Sequence, residues 1–233
     1  MHPLDRTARL AGLLYLLVVI TGFFTLMYVP GRLFGPGDAT AMAHNILAHQ
    51  SLFRAYIVVE ILSEMFFIAT VLVLYQLFKS VGSELATLMV MLVMLDAPLA
   101  LVSTANEVAA LAFLHGADFL AAFDPPQRDA LAVLLLKLSG HGMLVSEIFW
   151  GLWLIPLGWL ACRSGFVPRL LGIWLVINGL TYLVLSAMGL LWPDYPPIVS
   201  TITSPILLGE VAFTLWLLMA GVRVRTPVAA VSP

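Results

Sequence analysis

The chain has 233 residues, of which 61% are hydrophobic and only 10% charged, with a net charge of −2. A water-soluble domain carries about 45–50% apolar and about 25% charged residues, so most of this surface is built for lipid. The charge balance excludes a nucleic-acid partner held by a basic field, and the single cysteine, Cys162, excludes a disulfide framework or a paired-cysteine zinc or redox motif.

In chain order, a short polar segment, Met1 to Arg9, leads into an apolar run from Leu10 to Val29. That run lacks a small-residue cleavage site and is too long for a signal-peptide core, so it reads as a retained first span. Pro30-Gly31 and Gly35-Pro36-Gly37 read as chain breaks. Asp38 is placed to cap a short helix over 39–49. The second span is expected over 54–78, ending at Lys79, and a tight loop, Ser80 to Ser83, leads to the third, over 85–114. Pro98 is expected to bend that span.

A polar segment runs from His115 to Asp129. Within it, Asp124-Pro125-Pro126-Gln127 predicts a helix start, with Asp124 as N-cap, Pro125 in the first turn and Gln127 as the reciprocal cap. The fourth helix, with its span at 131–161, is longer than the about 20 residues one crossing needs, so its first turns are expected outside the hydrocarbon. Arg163 to Pro168 forms a loop, and the fifth span covers 170–191. Residues 192–197 form a turn with interfacial aromatics, and the sixth span covers 202–222. Residues 1–222 thus read as a single all-α domain, a polytopic bundle of six transmembrane helices, and 223–233 as a flexible cytoplasmic tail.

Six spans place both termini on one side. Arg6, Arg9, Lys79, Arg163, Arg169, Arg223 and Arg225 fall on that side, against Arg32, Arg54 and Arg128 on the other. Seven basic residues against three, with Lys137 embedded, predict cytoplasmic termini by the positive-inside rule.

Three even-numbered spans repeat one pattern, a small residue, a glutamate and a bulky apolar run: Ser63-Glu64, Ser146-Glu147 and Gly209-Glu210. The glutamates precede Lys79, Arg163 and Arg223 by 15, 16 and 13 residues, which puts them at similar depth. A helical hairpin used three times would explain this, with the three acids turned toward a shared axis along the membrane normal. Chance similarity among apolar helices is the plain alternative.

Ionisable groups inside spans are costly in hydrocarbon and face a protein interior or a wet cavity. Glu60 and Glu64 share a helical face; Asp96, Ser103 and Glu107 share another, bordered by Asn106; Lys137 and His141 are four apart. Asn178 and Glu210 add polar groups from the fifth and sixth helices. Each residue has a structural reading. Glu60 or Glu107 would neutralise Lys137, Asp96 would satisfy backbone groups at Pro98, His141 would be a hydrogen-bonded structural histidine, and Asn178 would glue helices. Taken together, Glu60, Glu64, Asn106, Glu107, Lys137, His141, Glu147 and Glu210 predict a polar cavity open to the outside.

Known catalytic signatures are missing: no HExxH, GxSxG or phosphate-binding glycine loop occurs. A carboxylate-rich metal site is chemically conceivable, with His141, Glu147 and Glu210 as its weak candidates. No cofactor is expected, and the balance leans away from an enzyme.

Four stretches carry a family resemblance. They are Ala8-Arg9-Leu10-Ala11-Gly12-Leu13-Leu14-Tyr15-Leu16, Gly116-Ala117-Asp118-Phe119-Leu120-Ala121-Ala122-Phe123-Asp124, Gly151-Leu152-Trp153-Leu154-Ile155-Pro156-Leu157-Gly158 and Arg163-Ser164-Gly165-Phe166-Val167-Pro168-Arg169. The chain resembles an uncharacterised bacterial family of small multi-pass membrane proteins, domain of unknown function 4386, from about Arg6 to Val222. The resemblance implies membership and assigns no catalytic residue; it ranks Glu210 and Asn106 above Glu64 and Glu147 as site candidates.

The expectation is therefore a bacterial inner-membrane protein whose one definite partner is the bilayer. Its favoured role is binding or transport of a small solute or cation. A membrane-embedded metal enzyme and a non-catalytic accessory subunit are the alternatives.

Overall fold

The computed structural model describes residues 3–34, 39–192 and 198–221. The described chain is helical throughout, without strands: α1 (Pro3–Phe23), a π-helical turn (Phe24–Tyr28), α2 (Val29–Leu33), α3 (Ala39–Ala48), α4 (Gln50–Phe78), α5 (Ser83–His115), α6 (Pro125–Ser164), α7 (Arg169–Leu191) and α8 (Ile198–Met219). Five stretches are long and apolar enough to cross a membrane: Leu4–Leu33, α4, α5, α6 and α7; α8 adds a shorter apolar stretch, Pro205–Met219. The expected all-α bundle of about six spans is the observed architecture.

One break expected from the sequence behaves differently. Pro30-Gly31 does not end the first helix, which continues to Leu33. The π-turn is the reason: the Val29 N–H bonds to the Phe24 carbonyl, five residues back, so Pro30 enters in a fresh first turn. A missing N–H is harmless there. Pro98, the expected site of a bend, lies inside α5, which runs through it as one helix. The expected break at Gly35-Pro36-Gly37, the cap at Asp38, most of the 192–197 turn and the tail lie outside the described residues.

Other local signals act as the residues dictate. Asp124 accepts from the Gln127 N–H at 2.9 Å while the Gln127 side chain accepts from the Asp124 N–H at 3.1 Å, closing the capping box that starts α6. Gly116 ends α5 with φ 64°, a left-handed conformation that glycine adopts without strain. With 40 residues α6 is about 60 Å long at 1.5 Å per residue, far beyond the hydrocarbon thickness. Its N-terminal part packs against α3. A separate apolar cluster, Val29, Leu33, Ile46, Phe53, Tyr56, Ile57 and Leu111, fills that end of the bundle.

The long helices form a closed ring in chain order. Each packs on its neighbour, α1 on α4, α4 on α5, α5 on α6, α6 on α7 and α7 on α8, and α8 returns to α1. Gly12, near the start of α1, meets Leu217 and Leu218 at the end of α8, and Gly221 lies against Asp5. First and last helices therefore run antiparallel, and the described chain ends share one end of the bundle. Trp153 from α6 reaches into the ring and touches Phe67 of α4 at 5.1 Å and Tyr15 of α1 at 5.9 Å between ring centroids. With Phe213 of α8 beside Tyr15, these side chains close the interior.

Helices α6 and α7 approach each other backbone to backbone. A Cβ on Gly158 would stand 2.5 Å from the Gly172 carbonyl oxygen, and one on Gly151 2.6 Å from that of Gly179. Backbone meets backbone at both points, seven residues apart on each helix. In lipid, where apolar burial drives helices together only weakly, such close approach supplies the dispersion contact that holds them. The interior is largely apolar but also takes in polar side chains, and large apolar residues stand on the outer surface. On α5, Leu88, Leu95 and Val102 are exposed to lipid while Asp96 and Glu107 are buried.

Candidate functional site

A polar belt crosses the ring interior next to the aromatic cluster, and each of the six long helices contributes to it. Glu210 of α8 accepts a hydrogen bond from the Tyr15 hydroxyl of α1 and one from Asn178 Nδ2 of α7 at 3.4 Å. Tyr182, one turn beyond Asn178, brings its hydroxyl within reach of Glu210 and also lies near Glu147 of α6. Glu64 of α4 sits within electrostatic range of Asp96 of α5. Trp150 Nε1 of α6 donates to Asp96 Oδ2 at 2.8 Å, with Ser146 also in reach. The Trp150 indole meets the Tyr182 ring edge-on at 5.9 Å, which joins the two halves of the belt. Thr21 of α1 donates to Ser63 of α4 at 2.9 Å at its margin.

A second acidic group lies farther from the chain ends. Glu107 Oε1 of α5 accepts from Tyr56 of α4 at 3.0 Å and from Ser139 of α6 at 2.7 Å. Glu60 of α4 brings its carboxyl within hydrogen-bonding reach of Glu107 and accepts from Thr104 at 3.4 Å. Glu107 Oε2 is buried and without a hydrogen-bond partner, as are Glu64 Oε1, Asp96 Oδ1 and Asn178 Oδ1. None of these acids has a basic partner. Among the described residues the one ion pair is Arg9–Asp5, at 3.4 Å within the first turns of α1.

The sequence candidates separate accordingly. Glu60 and Glu107 come together, and Glu64, Glu147 and Glu210 enter one belt. Among the described residues no hydrogen bond joins any two of these three glutamates. Glu64 and Glu210 have separate partners, linked only through Asp96, Trp150 and Tyr182. Lys137 corrects an expectation. It is exposed on α6 and forms no ion pair with Glu60, Glu107 or any other acid among the described residues, because its side chain points out of the bundle while Ser139, two residues on, turns in toward Glu107. His141, one turn on, is exposed as well. Among the described residues no three side chains of His, Cys, Asp or Glu come close enough to share a metal ion, so His141, Glu147 and Glu210 are not assembled. Asn106 is half-buried beside the Glu107 face.

Tyr15, Tyr56, Tyr182 and Trp150 are the site residues that sequence reasoning passed over. A signal existed for each. Tyr56 is four residues before Glu60 and Tyr182 four after Asn178, both helical-face spacings. Phe67, Trp150 and Phe213 each stand three residues after one of the repeated glutamates. A tyrosine deep in a span, away from the interface where its hydroxyl would meet water, calls for a buried acceptor just as an embedded acid calls for a donor.

The profile of one protein family, described as Domain of unknown function (DUF4386), matches residues 10–221. No curated protein and no solved structure matches the chain.

Proposed function

The chain belongs to the DUF4386 family, and from that premise we propose that this multi-pass membrane protein binds protons or a small cation in its interior carboxyl groups and passes them across the bundle. The pair Glu60–Glu107 carries this reading. Two ionised carboxylates present only acceptors to each other, so carboxyls in hydrogen-bonding reach need a proton or cation between them. Tyr56 and Ser139 occupy Oε1 of Glu107, which leaves the buried Oε2 free for that role. One turn along α4, Glu64 lies within electrostatic range of a second acid, Asp96. The belt residues touch one another directly, which favours a proton or bare cation over an organic solute.

The ligand would enter from the end opposite the chain termini, where Glu60 is half-buried rather than sealed. The basic asymmetry supports an orientation with that end outside and the termini in the cytoplasm. Reporter fusions check the orientation: a fusion at Ser80 should report the cytoplasm and one at Asp194 the exterior, and a cytoplasmic report from Asp194 would reverse the direction of entry.

The role itself is tested in sealed vesicles under an imposed potential, with a pH-sensitive dye inside and sodium or potassium outside. Wild-type protein should carry protons or one of these cations above the empty-vesicle rate. Glu107→Gln keeps an acceptor for Tyr56 and Ser139 but cannot ionise; flux should fall to background while the thermal midpoint holds within a few degrees. Equal flux through wild type and Glu107→Gln, or none through wild type, overturns the reading.

A further inference from the structure

We propose that the end of the bundle carrying the chain termini holds a binding site for the phosphate headgroup of an anionic phospholipid, in the recess between the end of α6 and the start of α7. The recess has a volume of about 750 Å³ and is lined by Trp159, Arg163, Gly165, Arg169 and Ile173, among others. It lies far from the carboxyl belt and has the opposite charge.

Its construction begins in the turn. Gly165 follows α6 with φ 73°, in the left-handed region, and sends the chain sharply back into α7. Ser164 fixes that turn: its hydroxyl donates to the Ala161 carbonyl at 2.8 Å and accepts from the Val167 N–H at 3.2 Å. Cys162 Sγ donates to the Arg169 carbonyl at 3.5 Å, tying the two helix ends together. The Gly158–Gly172 approach clamps the same helices one turn deeper. Arg163 and Arg169 are thereby held on two sides of one recess.

Neither arginine has an acidic partner, since the single ion pair of the described residues is elsewhere, and the first turn of α7 contains no acid. Pro168 supplies no side-chain cap to α7, so the first N–H groups of α7 face the same region with the positive end of the helix dipole. The Arg163 guanidinium already sits over the Trp159 ring, 5.5 Å from its centroid, which restrains one of the two forks. Two planar forks beside free amide donors suit a phosphodiester, which each arginine can grip through paired N–H groups.

The choice of a lipid over free phosphate rests on what adjoins the recess. On α7, Ile173, Ile177 and Leu180 follow Arg169 along one face and are 52%, 46% and 51% exposed. Trp159, one turn before Arg163, is 53% exposed. An apolar stripe thus descends from the arginines into the lipid layer, where an acyl chain would lie. The site is also on the end expected to face the leaflet whose anionic lipids give it a negative surface potential.

Native mass spectrometry of the full chain, purified with equal amounts of phosphatidylglycerol and phosphatidylcholine, tests the site. Wild type should retain phosphatidylglycerol preferentially. The double variant Arg163→Ala/Arg169→Ala should weaken that retention about thirtyfold, as expected for two basic contacts near an anionic surface. Arg163→Lys/Arg169→Lys keeps the charge and loses the forks; it should fall between the two, and it keeps the test informative should the alanine pair unfold. Equal retention by wild type and both variants overturns the proposal. Displacement of the lipid by inorganic phosphate at equal concentration would assign the recess to a free anion and overturns the lipid as its occupant.

Discussion

Replacing Trp153 by alanine should be the most damaging single truncation in the bundle. Trp153 is 1% exposed and packs against Tyr15 and Phe67 from two other helices. Removal of a buried tryptophan costs about 3–5 kcal/mol in water-soluble cores, as a transfer term plus a cavity term. In lipid the transfer term shrinks, because the separated helix would still keep its indole in an apolar medium. The cavity and lost dispersion contacts remain, so the lower end of that range, about 3 kcal/mol, is expected. Reversible unfolding in mixed micelles measures it. A loss under about 1 kcal/mol, the scale of an ordinary point mutation, would mean that the ring interior is not closed by this side chain. Because Trp153 sits beside the carboxyl belt, the same variant should also raise passive ion leak in vesicles.

The second large effect is expected at the backbone contact of α6 with α7. At Gly158 even a methyl group would fall 2.5 Å from the Gly172 carbonyl oxygen and 2.7 Å from Val176 Cγ2. Neither helix backbone can yield locally, so Gly158→Ala should separate them and cost about 1–3 kcal/mol, the range for overpacking. Gly172→Ala meets the Gly158 carbonyl at 2.6 Å from the other side and should cost a similar amount. The two together should cost less than their sum, because one displacement relieves both clashes. Gly140→Ala is the control on the same helix. Nothing lies within 4 Å of a Cβ there, and alanine gains up to about 1 kcal/mol of helix propensity. If Gly158→Ala and Gly140→Ala behave alike in thermal unfolding, the close approach does not hold the bundle together.

The fold was largely legible because lipid imposes one rule on the backbone: every amide must be satisfied within its own segment. Long apolar runs could therefore only be helices, and the capping box at Asp124 marked its helix start to the residue. Pro30 misled because a proline's effect depends on the hydrogen-bond ladder before it, and the π-turn at Phe24–Tyr28 has no sequence mark as plain as a glycine pair. The site was legible only in its charges. Embedded acids stand out in an apolar helix, so Glu60, Glu64, Glu107, Glu147 and Glu210 were found. Their partners were not, since Tyr15 and Glu210 lie 195 positions apart and spacing along one helix is silent about its neighbours. Lys137 was misplaced for a related reason. Its neighbours in sequence suggested an inward-facing position, but which face of α6 turns inward is set by the other helices, and Lys137 stands on the outer one.

The ring order of the helices also has a bearing on how the protein is made. The chain emerges from its N-terminus, so α1 enters the membrane first and α8 last, and α8 is the helix that closes the circle against α1. Until it arrives, the Tyr15 hydroxyl and Asn178 Nδ2 have lost their shared acceptor, Glu210, and the α1 face around Gly12 has no neighbour on that side. A chain that stops short of α8 would thus leave the Tyr15 hydroxyl and Asn178 Nδ2 facing one another across an open gap in the ring, with no carboxyl to receive them.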